Sequence, residues 1–215
     1  MDDPADGKPA RDEPVDDKPG RDELENGAEP STLARSQAAR RRRVIDAALR
    51  LAADGGFDAV QMRDVATEAD VALGTVYRYF ASKERLLLEA MAEQQEDLRS
   101  YLLAHPAPGA SAAERVINIL GRANTSLRKY SDITAAMVRA FGASREENRD
   151  LVLRVSEIMG STITVAIGSN TERDRRVARI LVQVWMSSLI GWVGGVDPAE
   201  RVDDDIAIAA HLLLD

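Results

Sequence analysis

Residues 62–85 read Met-Arg-Asp-Val-Ala-Thr-Glu-Ala-Asp-Val-Ala-Leu-Gly-Thr-Val-Tyr-Arg-Tyr-Phe-Ala-Ser-Lys-Glu-Arg. Ala66 is small where one helix must let another approach, Asp70 occupies the turn four residues on, and Val76, six further, faces back toward the first helix. That small, turn, aliphatic spacing is the mechanical requirement of a helix-turn-helix. The second helix then offers Gly74, Thr75, Tyr77 and Arg78 on its outward side, a close-approach glycine beside donors long enough to reach phosphates and base edges. Arg63, Leu73 and Tyr79 flank them and complete the candidate DNA-reading surface. The plain alternative is a helical hairpin whose polar side is merely solvated.

Upstream, Arg40, Arg41, Arg42 and Arg43 precede the apolar set Val44, Ala47, Ala48 and Leu51, which recurs at helical intervals and stops at Gly55-Gly56. Four adjacent arginines repel one another, and that repulsion is relieved by DNA phosphates or a minor groove reached by an arm; a solvated helix start is the other reading. The spacing predicts a second helix over 62–69, a third over 72–80 and, capped by Ser82, a fourth over 84–98 long enough to connect two domains.

Composition bounds the rest. The 215 residues hold 45% hydrophobic but only 4% aromatic side chains, which favours packed helices over strands. There is no cysteine, so neither disulfides nor thiolate metal sites are available, and His105 and His211 are the only imidazoles. No cofactor or metal is expected. No apolar run is long enough to span a bilayer and the N-terminus is acidic, so the chain is expected to be cytoplasmic, without membrane contact.

The net charge of −8 is unevenly placed: residues 1–30 carry 11 acidic and 4 basic side chains, residues 31–90 carry 8 and 10. The reading head is thus net basic, and phosphate binding follows the local field, which salt screens within about 10 Å. Residues 1–30 also contain a near-repeat, Pro4 to Asp12 returning as Pro14 to Asp22, with too few large apolar residues to fold. Residues 1–33 are expected to be a disordered acidic tail that either competes with DNA for the head or only solubilises the chain.

From about Arg40 to Met91 the sequence resembles the TetR family of bacterial transcriptional regulators, through Gly55-Gly56-Phe57, Arg63-Asp64-Val65-Ala66, the run Gly74 to Phe80, and Ser82-Lys83. The resemblance implies that Gly74, Thr75 and Tyr77 meet DNA and that Lys83 grips a phosphate. Three positions depart from the common pattern: Gln61 and Ala72 stand where helix caps are usual, and Asp70 where a turn glycine is usual. With these departures the segment looks like the KstR branch, repressors of steroid catabolism genes in actinobacteria, and the likeness continues more weakly through Thr134 to Ala140 and Ala178 to Leu189.

The expected architecture is therefore all-α: a three-helix DNA-binding domain over 34–85 and a helical bundle over 86–215 for ligand binding and dimerisation. Beyond the loop Pro106 to Gly109, helices are predicted around 116–127, 131–141, 145–167, 172–194 and 198–214. The resemblance implies an apolar ligand cavity and pairing of the last two helices with those of a second subunit. Met137, Phe141, Met159, Ile163, Trp185 and Leu189 are the candidate ligand contacts, as large adaptable side chains on converging helices, with plain core packing the other reading for each. Asn124, Thr125 and Ser126 either add polar contacts there or satisfy helix termini. Ile180, Val184, Ser188, Gly191 and Trp192 are the candidate dimer contacts, on an apolar surface wider than a thin surface helix needs, which either meets a second subunit or packs within the chain.

The leading functional expectation is a dimeric repressor that binds double-stranded DNA at an inverted repeat and leaves it on binding a bulky apolar inducer; the branch resemblance suggests a steroid acyl-coenzyme A thioester. An activator or architectural dimer without ligand is the second reading. A lipid-metabolism enzyme is the third, and the sequence offers it neither a phosphate-cradling glycine loop nor a nucleophile elbow.

Overall fold

The computed structural model describes residues 32–215, and every regular element among them is helical. The acidic segment 1–31 lies outside the described residues. Thr32 and Leu33, expected in the tail, instead open α1, Thr32–Ala59. The helix is interrupted at Gly55-Gly56, where Gly56 takes φ 66°, a left-handed conformation that glycine adopts without steric penalty. Val44, Ile45, Ala47, Ala48 and Ala52 form its buried stripe at helical spacing.

Two short helices follow, α2 (Met62–Glu68) and α3 (Leu73–Tyr79), then α4, Lys83–Ala104. Ser82 caps α4 by accepting from the Arg85 backbone N–H, as its sequence position suggests. Neither Gln61 nor Ala72 makes a side-chain cap, so α2 and α3 are held by packing more than by their ends.

The remaining elements are α5 (Ala112–Lys129), α6 (Ser131–Ala143), a single 3-10 turn at Glu146–Asn148, α7 (Arg149–Ile167), α8 (Glu172–Val193) and α9 (Glu200–Leu214). The helix expected from residue 145 thus starts one turn later, after the 3-10 turn. Arg115 of α5 closes the far end of α7, donating to the carbonyls of Ala166 at 2.8 Å and Ile167 at 2.6 Å. Gly168 ends that helix with φ 85°, and Thr171 with Asp174 forms a reciprocal capping box at the start of α8. Hydrogen bonds to Asp174 from the Thr171 hydroxyl, the Ser169 hydroxyl and the Thr171 N–H hold its carboxyl below the usual aspartate range.

α4 is the central strut: it packs on α1 and α6 at one end and along α7, while α5, α8 and α9 close the bundle. Leu86, Leu87 and Leu88 are wholly buried on it, so its first turns are fixed in the core directly after the short helices. No helix among the described residues is long and apolar enough to cross a membrane.

Candidate nucleic-acid interface and cavity

Three backbone features set the angle between α2 and α3. The Val71 N–H returns to the Ala66 carbonyl at 3.0 Å, the Asp70 N–H reaches Thr67 at 3.2 Å, and Asp70 takes φ 52°. Asp70 thus occupies the left-handed position that its place in the turn predicts, as the only non-glycine with positive φ among the described residues. Val76 is fully buried and Ala66 nearly so, which seats α3 across α2.

With Val76 inward, α3 turns Leu73, Gly74, Tyr77 and Arg78 to solvent, and Thr75 and Tyr79 are half-buried. A Cβ on Gly74 would meet nothing within 4 Å, so no group of this chain requires a glycine there. The Tyr79 hydroxyl lies 3.4 Å from the Gln37 carbonyl, tying the end of α3 to α1. Arg63 is exposed on α2 with no ion-pair partner among the described residues. Leu73 and Tyr77, like Gly74 and Arg78, lie one turn apart on the exposed side of α3.

The arginine run divides. Arg41 turns away from the α3 face: it pairs with Glu89 at 3.0 Å and with Glu93, both on α4, and its guanidinium lies over the Phe80 ring. Arg42 pairs with Asp46 at 3.0 Å and Glu93 at 3.6 Å, Arg43 donates to the Ala69 carbonyl, and Arg40 to the Ser36 hydroxyl. Arg41, expected in a four-arginine phosphate arm, here fastens α1 to α4. The signal lay in Glu89 and Glu93, spaced one turn apart on α4. Lys83 opens α4 as expected, and its ammonium donates to the Phe57 carbonyl at 3.2 Å.

Behind the reading head, α4, α5, α6 and α8 line a half-open cavity of about 560 Å³. Its outer wall carries Gln94, Asp97, Tyr101, Arg122, Ser126 and Tyr130, and its inner wall the buried Leu102, Ile119, Thr134, Met137 and Trp185. Of the candidate ligand contacts, Met137 and Trp185 line it. Phe141, Met159, Ile163 and Leu189 do not, and the last three are core side chains at most 2% exposed. Asn124 is also off the wall: its carbonyl accepts from the Trp185 indole N–H at 2.8 Å, and its amide donates to Asp203 at 2.6 Å. A larger, more open trough of about 960 Å³ runs over α7 between α4 and α8, floored by Gly160, Ser161 and Thr164.

On the last two helices the exposed apolar side chains are Ile180, Ile190, Ile208 and Leu212. Val184, Gly191 and Trp192 are half-buried. Ser188, also a candidate dimer contact, is buried in its own chain, its hydroxyl donating to Asp205 at 2.7 Å. From Ile180 onward α8 is apolar around most of its circumference, so periodicity alone does not separate its inner from its outer stripe there.

This arrangement has known counterparts. Residues 44–90 match the tetR family of bacterial regulatory proteins, and residues 109–213 the tetracyclin repressor-like C-terminal domain. The HTH-type transcriptional repressor KstR of Mycolicibacterium smegmatis is 35% identical over 181 residues, covering 83% of this chain and 89% of that protein. KstR of Rhodococcus jostii is 36% identical over 188 residues, covering 86% and 88%. Among solved structures, a TetR transcriptional regulator from Rhodococcus sp. RHA1 superposes with a TM-score of 0.76 at 30% identity, covering 83% of this chain and 97% of that one. The helix-turn-helix, the helical bundle behind it and relatives matched over most of their length make this chain a member of the TetR family of bacterial transcriptional regulators.

Proposed function

We propose that the protein is a ligand-responsive repressor that acts in the cytoplasm as a homodimer, holding an inverted-repeat operator until a bulky apolar inducer binds. The observation that carries this reading is the course of α4. Its first residue, Lys83, stands beside the reading helices, and Gln94 to Leu102 of the same helix wall the cavity. A ligand that displaces that wall moves a rigid strut anchored in the head, so the two states bind ligand and DNA with different affinity.

In this reading residues 34–85 are the DNA-binding unit and residues 86–215 the ligand and pairing unit. Thr75, Tyr77, Arg78 and Arg63 contact DNA, with Gly74 giving the close approach that nothing inside the chain requires. Ile180, Ile190, Ile208 and Leu212 are the pairing surface, since two heads one duplex turn apart need a two-fold partner. The inducer class is a steroid acyl-coenzyme A thioester, supported by the KstR relatives and by a cavity with an apolar interior and a polar, open rim.

Fluorescence anisotropy with labelled DNA from the upstream region of the protein's own gene tests this. Release by steroid acyl thioesters but not by short acyl thioesters is expected. Tight DNA binding indifferent to every thioester would favour the activator or architectural reading instead.

A further inference from the structure

We propose that Trp185 gauges how deeply a ligand enters the cavity and reports that depth to α9 through Asn124, so that Asn124 and Asp203 are positioning residues rather than ligand contacts. This rests on the reading of the cavity as the inducer site. Of the buried inner-wall side chains, Trp185 alone bonds to another side chain: its indole N–H donates to Asn124 Oδ1 at 2.8 Å. Asn124 Nδ2 then donates to Asp203 Oδ1 at 2.6 Å, and Asp203 Oδ2 accepts from Arg128 at 2.7 Å. One polar chain therefore runs from α8 through α5 to α9.

Trp185 and Asn124 are each 2% exposed, so water does not replace the bond between them, whereas Asp203 and Arg128 at the far end are partly exposed. Loss of the buried indole–Asn124 link orphans the amide oxygen and slackens the next bond, Asn124 to the partly exposed Asp203. A ligand confined to the outer wall, against Gln94 and Tyr130, leaves the indole in place. One that passes Met137 presses on the indole, breaks its bond to Asn124 and loosens the Asn124 grip on Asp203. α9 then keeps only its Arg128 pairing at that carboxylate, and α9 is the helix that carries Ile208 and Leu212. Ligand length is thereby converted into a change on the pairing face.

The test is amide hydrogen exchange over residues 200–214 of the full-length protein. Ala123→Trp fills the cavity without a ligand, since Ala123 lines it on α5; a steroid acyl-coenzyme A thioester and butyryl-coenzyme A are the long and short probes. Ala123→Trp and the steroid thioester are expected to raise α9 exchange about threefold to tenfold, the equivalent of one lost buried hydrogen bond, with no change from butyryl-coenzyme A. In Trp185→Phe, which keeps a ring and removes the donor, exchange is expected to be raised from the start and unresponsive. Unchanged α9 exchange in a cooperatively folded Ala123→Trp protein overturns the proposal, as does a full response in Trp185→Phe or an equal response to the short probe. If Ala123→Trp does not fold, Ala123→Leu serves the same comparison. A steroid thioester without effect on operator binding would count against the inducer reading alone, because the cavity-filling arm still reports on the chain.

Discussion

The Lys83 ammonium lies 4.1 Å from the centre of the Phe57 ring and donates to the same residue's carbonyl, so the first residue of α4 is clasped by the turn that ends α1. Arg139 of α6 stacks on that ring at 4.7 Å and pairs with Asp58 at 2.7 Å. Phe57 is thus a shared anchor for two cations from separate helices, one at the reading head and one in the bundle. Phe57→Leu is expected to lower stability by about 1–2 kcal/mol, the sum of two partly exposed cation–π contacts. Urea unfolding of the single and the Phe57→Leu/Arg139→Gln double variant checks it; full additivity would deny the coupling.

Asp70 holds a left-handed conformation in the reading turn. Asp70→Gly is expected to be neutral or to stabilise by up to ~1 kcal/mol, because glycine adopts positive φ without steric penalty. A thermal melt reads it, and a marked loss of stability would mean that the aspartate side chain has a role the turn geometry does not reveal.

On DNA, Tyr77→Ala and Arg78→Ala are expected to weaken binding to operator and random duplex alike, with Arg78→Ala lowering the salt slope by about one. Thr75→Val is expected to change sequence preference as well, by about 1–3 kcal/mol at one base position. Competition against a library of single-base operator variants separates the two behaviours, and equal losses on all sequences for Thr75→Val would remove it from base readout.

The capping box predicts an acid sensitivity. Asp174 has its folded pKa lowered by the Thr171 and Ser169 hydrogen bonds, so its contribution is present above the ordinary aspartate value and is lost as pH falls through the folded one. Asp174→Asn is therefore expected to destabilise the protein at neutral pH and to converge with the parent in acid. Denaturation at a series of pH values between neutral and strongly acid follows this, and a gap that widens on acidification would contradict it.

For pairing, Ile190→Glu or Ile208→Glu places a charge on an exposed apolar side chain of α8 or α9. Each is expected to shift the protein to monomers in sedimentation velocity and, through loss of the second head, to weaken operator binding more than random binding. Unchanged sedimentation for both would place any dimer contact elsewhere, with the α7 trough the next surface to test.

The helices were legible because their signals are local. Gly55-Gly56, the Ala66 to Val76 spacing and Ser82 each act within a few residues, and each sits where its sequence context predicts. The cavity was not, because helical periodicity separates buried from exposed but not core from cavity wall. Met137 and Met159 read alike as large apolar positions on converging helices, yet Met137 lines the cavity and Met159 lies in the core. The side-chain bonds of Asn124 were not legible for a related reason: its partners lie 61 and 79 residues away, beyond the reach of any local pattern. Arg41 was read as part of a basic cluster, although the carboxylates that neutralise it stand 48 and 52 residues on.

The inward turn of Arg41 bears on how such a protein would travel along a chromosome. Random duplex attracts a regulator chiefly through counterion release, which scales with the cations free to meet phosphate. With Arg41 and Arg42 answered by Glu89, Glu93 and Asp46, fewer of those cations belong to the groove-facing side. In the repressor proposed above, residence at each wrong site would then be shorter, while Thr75 and Tyr77 stay free to meet the duplex.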